Sequence, residues 1–422
     1  MTTQESTTAA SATLRTLFRR GDFRHLWLGQ VVSAFGDNVT NLTLLILINA
    51  LTGSTAALAT MTILLAIPQV TVGLVAGVFV DRWDRKRVLL ASDLIRGLLV
   101  LGFIAVGSTE RLWLLYLLAF LQACVGTFFN PARSALMPTL VPADELLAAN
   151  SAMQTGSLVA QVLGAGAAGL VVGAFAVYWP AFALDALTFF VSFALILLVR
   201  SAASQPESDA PASVWAIGRQ LGVGLGLLVR TRVLLGIVVV TAVMMLGLGT
   251  VNVLFVPLLA NDLQVPVTWF GAVEFAQVAA MILSGSLVVL LARYSPAALI
   301  SVASLLLGVA VGLIAVAANV WQVLLILFVV GACITPLQAA IQTIMQTTVP
   351  NQLLGRVGSA LNTTIMTANL SAMAFAGGLG SAIGIRNVFL FAGGMTILAG
   401  LLAMFMLRKT SQEEEIAEGL AT

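Results

Sequence analysis

Long apolar runs separated by short polar segments dominate the hydropathy pattern of this chain. Each run is close to the roughly 20 residues that a helix needs to cross a bilayer. The runs are continuous, whereas a strand of a membrane barrel would alternate polar and apolar positions. The pattern therefore predicts an all-α membrane protein with twelve transmembrane helices, which start near Leu26, Ala57, Val88, Leu112, Leu147, Pro180, Val233, Trp269, Ala297, Val320, Val357 and Asn387.

The longest polar interruption, residues 201–213, divides these helices into six plus six. It is rich in Ser, Ala, Pro and acidic residues, a composition typical of a linker. We expect an N-terminal bundle over 1–200, a cytoplasmic linker over 201–232 and a C-terminal bundle with a short cytoplasmic tail over 233–422. Within the linker, the weakly amphipathic segment from Val214 to Arg232 predicts a helix on the membrane surface.

The positive charges predict the orientation. An even number of helices places both termini on one side, and 17 of the 20 Lys and Arg residues lie on that side. Arg96 lies within predicted helix 3, and Arg111 and Arg386 lie on the far side. Because short cytoplasmic loops are enriched in Lys and Arg, both termini are expected in the cytoplasm of a multi-pass cell-membrane protein. Tryptophans at the outer starts of helices 4, 6, 8 and 10 fit an interfacial belt; they are Trp113, Trp179, Trp269 and Trp321.

Composition excludes most other classes of protein. The chain is 59% hydrophobic and 9% charged, against about 25% charged residues in a soluble domain. Neither Lys86 nor Lys409 follows a phosphate-binding glycine loop. The single His25 lies at the cytoplasmic edge of helix 1, so no zinc pair or Ser-His dyad is expected within the membrane. We therefore expect no enzyme activity, no cofactor, no metal site and no nucleic-acid partner.

The two predicted halves share sequence. Three matches occur at a single shift of 208 positions, which indicates a duplicated six-helix unit. Met137–Pro142 recurs as Met345–Pro350, Ser151–Thr155 as Ser359–Thr363, and Gly77 with Arg85 as Gly285 with Arg293.

A charged loop joins predicted helices 2 and 3. From Asp81 to Arg87, six of seven residues are charged, and Gly77 stands four positions before Asp81. This order resembles the signature loop of the major facilitator superfamily of secondary transporters. The resemblance implies two parallel six-helix repeats with a substrate site at their interface, near the membrane midplane.

Further motifs resemble the branch that contains macrolide-type drug exporters and the enterobactin exporter, which implies proton-driven export of amphiphilic small molecules. Ala165 stands where this family usually has Pro in helix 5, and predicted helix 4 lacks the buried Arg of many drug antiporters. The motifs are Phe23–Trp27, Gln30, Ser33 and Phe35–Asp37, then Asn130–Ala135, Pro138, Ala149–Asn150 and Asp185–Phe189, and finally Val349–Pro350 and Gly355–Val357.

Ionisable residues inside membrane helices are costly and mark candidate functional sites. Asp37 lies about 16 Å along helix 1 at 1.5 Å per residue, near the bilayer centre. Gln30, Ser33, Asp37 and Asn41 follow helical spacing and form one polar stripe, which is expected to line the central cavity. We expect Asp37 to bind protons or substrate; the alternative is a static hydrogen bond to a neighbouring helix.

A second candidate acid, Glu274, lies about two turns into predicted helix 8, with Gln277 one turn further on. The repeat places Ala66 opposite Glu274, so the acid is not a relic of duplication. It is expected to serve coupling or recognition of cations. The alternative is a partly hydrated acid near the outer interface.

Helix 3 carries Asp93 and Arg96 three positions apart, a spacing that predicts an ion pair supporting the cytoplasmic gate. Asp185, about five residues into helix 6, fits an interfacial structural acid as well as a functional one. In the signature loop, the resemblance implies that Asp81 meets the start of helix 11, near Gly355 and Arg356, when the cytoplasmic side is closed.

The four cations of the loop are expected to complete this latch, with fixing the topology as their alternative role. They are Arg82, Arg85, Lys86 and Arg87. Gly77 would allow close packing of helix 2.

These features together predict a monomeric secondary exporter that works by alternating access and exchanges amphiphilic substrates for protons in contact with membrane lipid. The alternatives are a dedicated exporter of one metabolite, such as a siderophore, or a lysolipid flippase. A membrane sensor or enzyme that transports nothing is the alternative from another class.

Overall fold

The computed structural model describes residues 16–80, 82–175, 177–200, 214–291 and 293–407. The described part of the chain is almost entirely helical. Its first half contains seven helices: α1 Gly21–Thr52, α2 Thr55–Thr71, α3 Gly73–Val80, α4 Arg85–Phe103, α5 Leu112–Leu140, α6 Leu146–Phe175 and α7 Trp179–Leu197. The second half contains seven more: α8 Val214–Arg230, α9 Arg232–Pro257, α10 Phe270–Leu291, α11 Pro296–Ile314, α12 Val320–Thr348, α13 Asn351–Ile383 and α14 Ile385–Met406.

All twelve predicted membrane helices are present. Ten begin within three residues of the predicted start, while α1 and α13 begin five and six residues earlier. The second predicted helix is divided into α2 and α3 at Val72. Pro68 lies one turn before this division. Because Pro has no backbone N–H to donate, it weakens the hydrogen-bond ladder there.

Nine of the described helices are long and apolar enough to cross a membrane by themselves. The other three predicted spans depart from that pattern for visible reasons. The second is divided, α4 buries Ser92 and Asp93, and α13 carries a series of Asn, Thr and Ser residues. Polar side chains are tolerated in a membrane helix where they face protein rather than lipid.

The helices form two compact units. Of the described residues, those within 16–47 and 64–200 form one unit, and those within 48–63 and 214–407 form the other. The end of α1 and the start of α2 therefore pack with the second unit. There, Asn49 and Asn261 exchange side-chain hydrogen bonds of 3.0 and 3.2 Å, and the Thr55 hydroxyl donates to the Gly377 carbonyl at 3.0 Å.

The exposed surface is strongly apolar, as expected for helices in lipid. Leu98, Leu163 and Phe405 are among many large hydrophobic side chains that are more than half exposed. Trp113, Trp179 and Trp321 are exposed as well. The interior of the first unit contains fully buried Phe23, Leu26 and Phe189, together with the polar groups described below.

Helix α8 occupies the segment predicted to lie on the membrane surface. Gly224 is buried against α13, where a Cβ would lie 3.0 Å from Ala360 Cβ. Arg219, Val223 and Val229 are exposed. The helix thus has one packed side and one exposed side.

The structure refines the repeat. Helices α5 and α12 end alike, because Val141 N donates to Met137 O at 3.2 Å and Val349 N donates to Met345 O at 3.1 Å, 208 positions later. At the start of α4 and α11 the shift is 211 instead, since Asp84 and Ser295 are the N-caps. The predicted match of Arg85 with Arg293 is therefore wrong; Arg293 corresponds to Arg82.

Candidate functional site

Four ionisable side chains meet inside the first unit, and we call them the charge cluster: Asp37 of α1, Asp93 and Arg96 of α4, and Asp185 of α7. Asp93 and Asp185 are completely buried. The side chains of Arg96 and Asp37 are 12% and 26% exposed. Charged residues are almost never buried unless they are paired or functional, so this is the site that demands a chemical explanation.

Small side chains bring the three helices together. At Gly36 of α1, a Cβ would overlap the side chains of Thr188 and Asp185 on α7. At Gly97 of α4, a Cβ would lie 3.1 Å from the Phe190 ring of α7. Only glycine allows such close approach, and the consequence is that the acids of α1, α4 and α7 come within reach of one guanidinium.

Arg96 is the centre of the cluster. Its Nη2 donates to Asp37 Oδ1 in a short ion pair, and it also interacts electrostatically with Asp93 and Asp185. The guanidinium carbon lies 4.4 Å from the centre of the Phe189 ring, a cation–π geometry. Gly126 of α5 leaves room for it, because a Cβ there would already touch Arg96 Nε at 3.5 Å.

The predicted pairing of Asp93 with Arg96 along α4 is therefore corrected, because the ion pair of Arg96 is formed with Asp37 across helices. Asp93 has Ser192 of α7 as a polar neighbour, but neither of its carboxylate oxygens accepts a hydrogen bond of normal geometry within the described residues.

Asp185 is fully buried, whereas the interpretation from sequence left an interfacial position open. Its Oδ1 accepts from the Thr188 hydroxyl at 3.2 Å. Thr40 of α1 is a second polar neighbour, but Oδ2 accepts no hydrogen bond of normal geometry within the described residues. Counting from Trp179 understated the burial of Asp185. The available sequence signal was Gly36 next to Asp37, which marks α1 as a helix that another helix can approach closely.

The electrostatics of the cluster are unbalanced. One guanidinium faces three carboxyl groups, so full ionisation would leave two uncompensated negative charges inside the bundle. Burying one uncompensated charge costs on the order of several kcal/mol. Protons on the carboxyl groups would remove this cost. The cluster therefore holds two more acids than its cation can neutralise, and Arg96 has more than one carboxyl group with which to pair.

The other residues of the predicted polar stripe have separate environments. Gln30 is buried, and its Nε2 donates to Ser157 of α6 at 3.4 Å. The Ser33 hydroxyl donates to the Gln30 carbonyl at 3.2 Å, and Asn41 is exposed. The stripe therefore brings only Asp37 to the charge cluster.

The predicted residues of α10 belong to the second unit. Glu274 and Gln277 are both half-buried. Gly331 of α12 packs directly on the backbone of Gln277, and the Thr335 hydroxyl donates to the Met281 carbonyl at 3.0 Å. The two residues therefore lie on a helix that is held tightly to α12.

The predicted gate residues are described only in part. Asp81 lies outside the described residues, Gly77 lies in α3, and Arg82 is exposed in the turn after it. Arg85 Nη1 donates to the Ala135 carbonyl of α5 at 3.1 Å.

Lys86 Nζ donates to the Leu197 and Val199 carbonyls at the end of α7, at 3.0 and 2.8 Å. A cation is favourable at a helix C-terminus. Together with Arg85, this lysine anchors α4 inside the first unit.

Comparison with known proteins agrees with this architecture. An MFS-type transporter of unknown role from Bacillus subtilis (strain 168), YfiS, is 26% identical over 385 residues, which cover 90% of this chain and 91% of that protein. Macrolide efflux protein A of Streptococcus pyogenes is 24% identical over 392 residues, 90% of this chain and 94% of that protein. The crystal structure of the nucleoside transporter NupG superposes with a TM-score of 0.72 at 13% identity, covering 91% of this chain and 98% of that one.

The sequence model of the Major Facilitator Superfamily matches residues 26–364 and 237–421, which together span nearly all of the helical part of the chain. The relatives and structural neighbours of this chain are transporters rather than enzymes. The helices, the repeat and these matches agree, and the chain belongs to the Major Facilitator Superfamily of membrane transporters.

Proposed function

We propose that this transporter exports amphiphilic small molecules in exchange for protons, and that the charge cluster binds the protons. The observation that carries the proposal is the buried excess of carboxyl groups, three around the single guanidinium of Arg96. A merely structural ion pair needs one carboxylate, and buried ion pairs add little stability in any case. Titration gives the additional acids a role.

The proposed switch is the Asp37–Arg96 ion pair. A proton that binds Asp37 cancels the negative charge that holds Arg96 Nη2. Arg96 can then move toward Asp93 or Asp185, whose carboxylate oxygens have bonding capacity left among the described residues. Loss of the proton reverses the exchange. Two discrete pairings of one arginine supply the two-state element that a conformational cycle requires.

The substrate class is proposed from the relatives. Macrolide efflux protein A aligns over 94% of its own length, and a macrolide is a large amphiphile. With both termini in the cytoplasm, as the positive charges predict, transport against protons is directed outward. Glu274 and Gln277 are proposed to contribute to recognition of cationic substrates, and Asp81 with Arg82 to the cytoplasmic gate.

Asp37→Asn tests the coupling. The variant keeps the shape of the side chain but cannot be ionised, so uphill substrate movement driven by an imposed pH gradient in proteoliposomes should fall to background. Substrate counterflow, which needs no net proton transfer, should survive. Asp22→Asn is the matched control, since Asp22 is an acid of the same helix that accepts from Arg200 N at 2.7 Å, outside the charge cluster. Full uphill transport by Asp37→Asn would overturn the proposed role.

A further inference from the structure

The second unit contains a cleft between α12 and α13. Its volume is about 600 Å³, within the roughly 300–1,000 Å³ typical of small-molecule sites. The two helices are separated in sequence only by Val349 and Pro350. Such a short connection usually brings antiparallel helices into contact, but here they diverge, and the space between them stays open.

Three carboxamides line this cleft. Gln338 and Gln342 lie one turn apart on α12, and Asn362 faces them from α13. All three side chains are exposed, and none of them forms a hydrogen bond within the described residues. Each carboxamide offers both a donor and an acceptor, so the cleft presents unused capacity for hydrogen bonds.

The rest of the lining is apolar. Among the described residues around the cleft none is charged, and Ile341, Met345, Leu361 and Ile365 supply hydrocarbon surface. A wall of this kind offers no counter-ion to a cation or an anion. It complements a neutral amphiphile, whose hydroxyl and carbonyl groups pair with amides while its hydrocarbon part packs on the aliphatic side chains.

The first half differs from this lining at two of the equivalent positions. The shift of 208 that relates α5 to α12 places Arg133 opposite Ile341 and Ser134 opposite Gln342. The cation is thus replaced by an aliphatic residue and the short hydroxyl by a longer amide. Two of the three carboxamides recur, since Asn130 corresponds to Gln338 and Gln154 to Asn362. The second half is therefore distinguished by the loss of the cation and by the added amide of Gln342.

We propose that this cleft is a binding site for the uncharged, hydroxyl- and carbonyl-bearing part of an amphiphilic substrate. The inference rests on the proposed export function and deepens it by assigning a class of ligand. The cleft adjoins the connection between α12 and α13, which the positive charges predict to be cytoplasmic. From that side the site would receive substrate before export.

The probe for this site is erythronolide B, an uncharged, polyhydroxylated macrolactone, and the comparison probe is tetraphenylphosphonium, a cation without hydrogen-bonding groups. Binding of each to the full chain in nanodiscs is measured by equilibrium dialysis. The double variant Gln338→Met with Gln342→Met should weaken erythronolide B binding about tenfold or more, since each lost hydrogen bond is worth roughly fivefold. Binding of tetraphenylphosphonium should not change.

Two matched controls keep this test specific. Gln346→Met alters an exposed glutamine one turn beyond Gln342 and outside the cleft, and it should have no effect. Gly358 lines the cleft, and a Cβ there would meet no atom within 4 Å, so Gly358→Leu should fill the site and abolish binding. Gly394 is equally open but does not line the cleft, so Gly394→Leu should bind normally.

Unchanged affinity of the double variant, or an equal loss in Gln346→Met, would overturn the site. Failure of the unaltered protein to bind erythronolide B would overturn the assigned class of ligand. Dialysis requires no proton gradient, so a protein that binds through this cleft but moves nothing uphill would refute proton-coupled export and leave the site standing.

Discussion

The two halves of the chain pack their third and sixth membrane helices in opposite ways. In the first half, α4 meets α7 around buried charges. In the second half, α11 meets α14 through backbone: a Cβ at Gly393 would lie 2.7 Å from the Gly308 carbonyl oxygen and from Gly312 Cα. One pair of helices is built around titratable groups, and the other around a close contact between glycines.

The residues at equivalent positions make this contrast direct. The N-caps of α4 and α11 are 211 positions apart, and so are Gly97 and Gly308, where each helix approaches its partner. The same shift places Ser304 opposite Asp93 and Leu307 opposite Arg96. Ser304 and Leu307 are fully buried. The second half therefore forms the corresponding helix pair without charges at these positions, as expected if the charges of the first half serve function rather than stability.

The largest effect is expected from removing the only cation of the charge cluster. Arg96→Gln leaves three buried carboxyl groups without a counter-ion, and breaking a buried pair in this way costs about 3–5 kcal/mol. Thermal unfolding should occur at a clearly lower temperature, and pH-driven transport should be lost. Adding Asp37→Asn should recover part of the stability, since it removes the uncompensated partner. Normal stability and transport in Arg96→Gln would contradict the contrast between the halves.

In the second half, the close backbone contact should be the vulnerable feature. Gly393→Ala forces a methyl group against the backbone of α11, and overpacking of this kind costs about 1–3 kcal/mol. The unfolding temperature should fall, while uphill transport per folded molecule should be retained. The neighbouring Gly394 has open space around its Cβ position, so Gly394→Ala is the control and should be neutral. Equal behaviour of the two variants would show that α11 and α14 are not in tight contact.

Replacing a residue of the first half by its counterpart from the second half should have a smaller effect on stability, and in the opposite direction. Asp93→Ser introduces the residue found at the equivalent position, Ser304, and removes a carboxyl group that accepts no hydrogen bond of normal geometry among the described residues. Stability should be unchanged or rise by about 1 kcal/mol, whereas pH-driven transport should weaken. A marked loss of stability would instead assign Asp93 a structural role.

The smallest effect is expected at Glu274, the candidate acid of the second half. Glu274→Gln should weaken export of cationic substrates about fivefold, because a charge pair 4 Å apart in water is worth about 1 kcal/mol. Export of neutral substrates should be unaffected, and initial rates for one compound of each class provide the measurement. Equal losses for both classes would point to proton binding or packing at Glu274 instead.

Much of the architecture could be predicted from local sequence. A chain in lipid must satisfy its backbone hydrogen bonds within each segment, so the length and continuity of an apolar run are enough to predict a helix. The starts of α5 and α12 agree with the prediction, as does the repeat between them. The candidate acids were found in the same way, since a charge inside an apolar run is conspicuous by itself.

What the sequence by itself determined is thus the number and kind of helices, the duplication and the presence of buried acids. Only the tertiary structure decided which groups meet. Spacing along α4 favoured Asp93 as the partner of Arg96, but Gly36 and Gly97 let α1 and α7 come so close that Asp37 is the partner. The opening between α12 and α13 could not be predicted from the sequence either. Contacts along one helix follow from its fixed period, whereas contacts between helices depend on the shape of both surfaces.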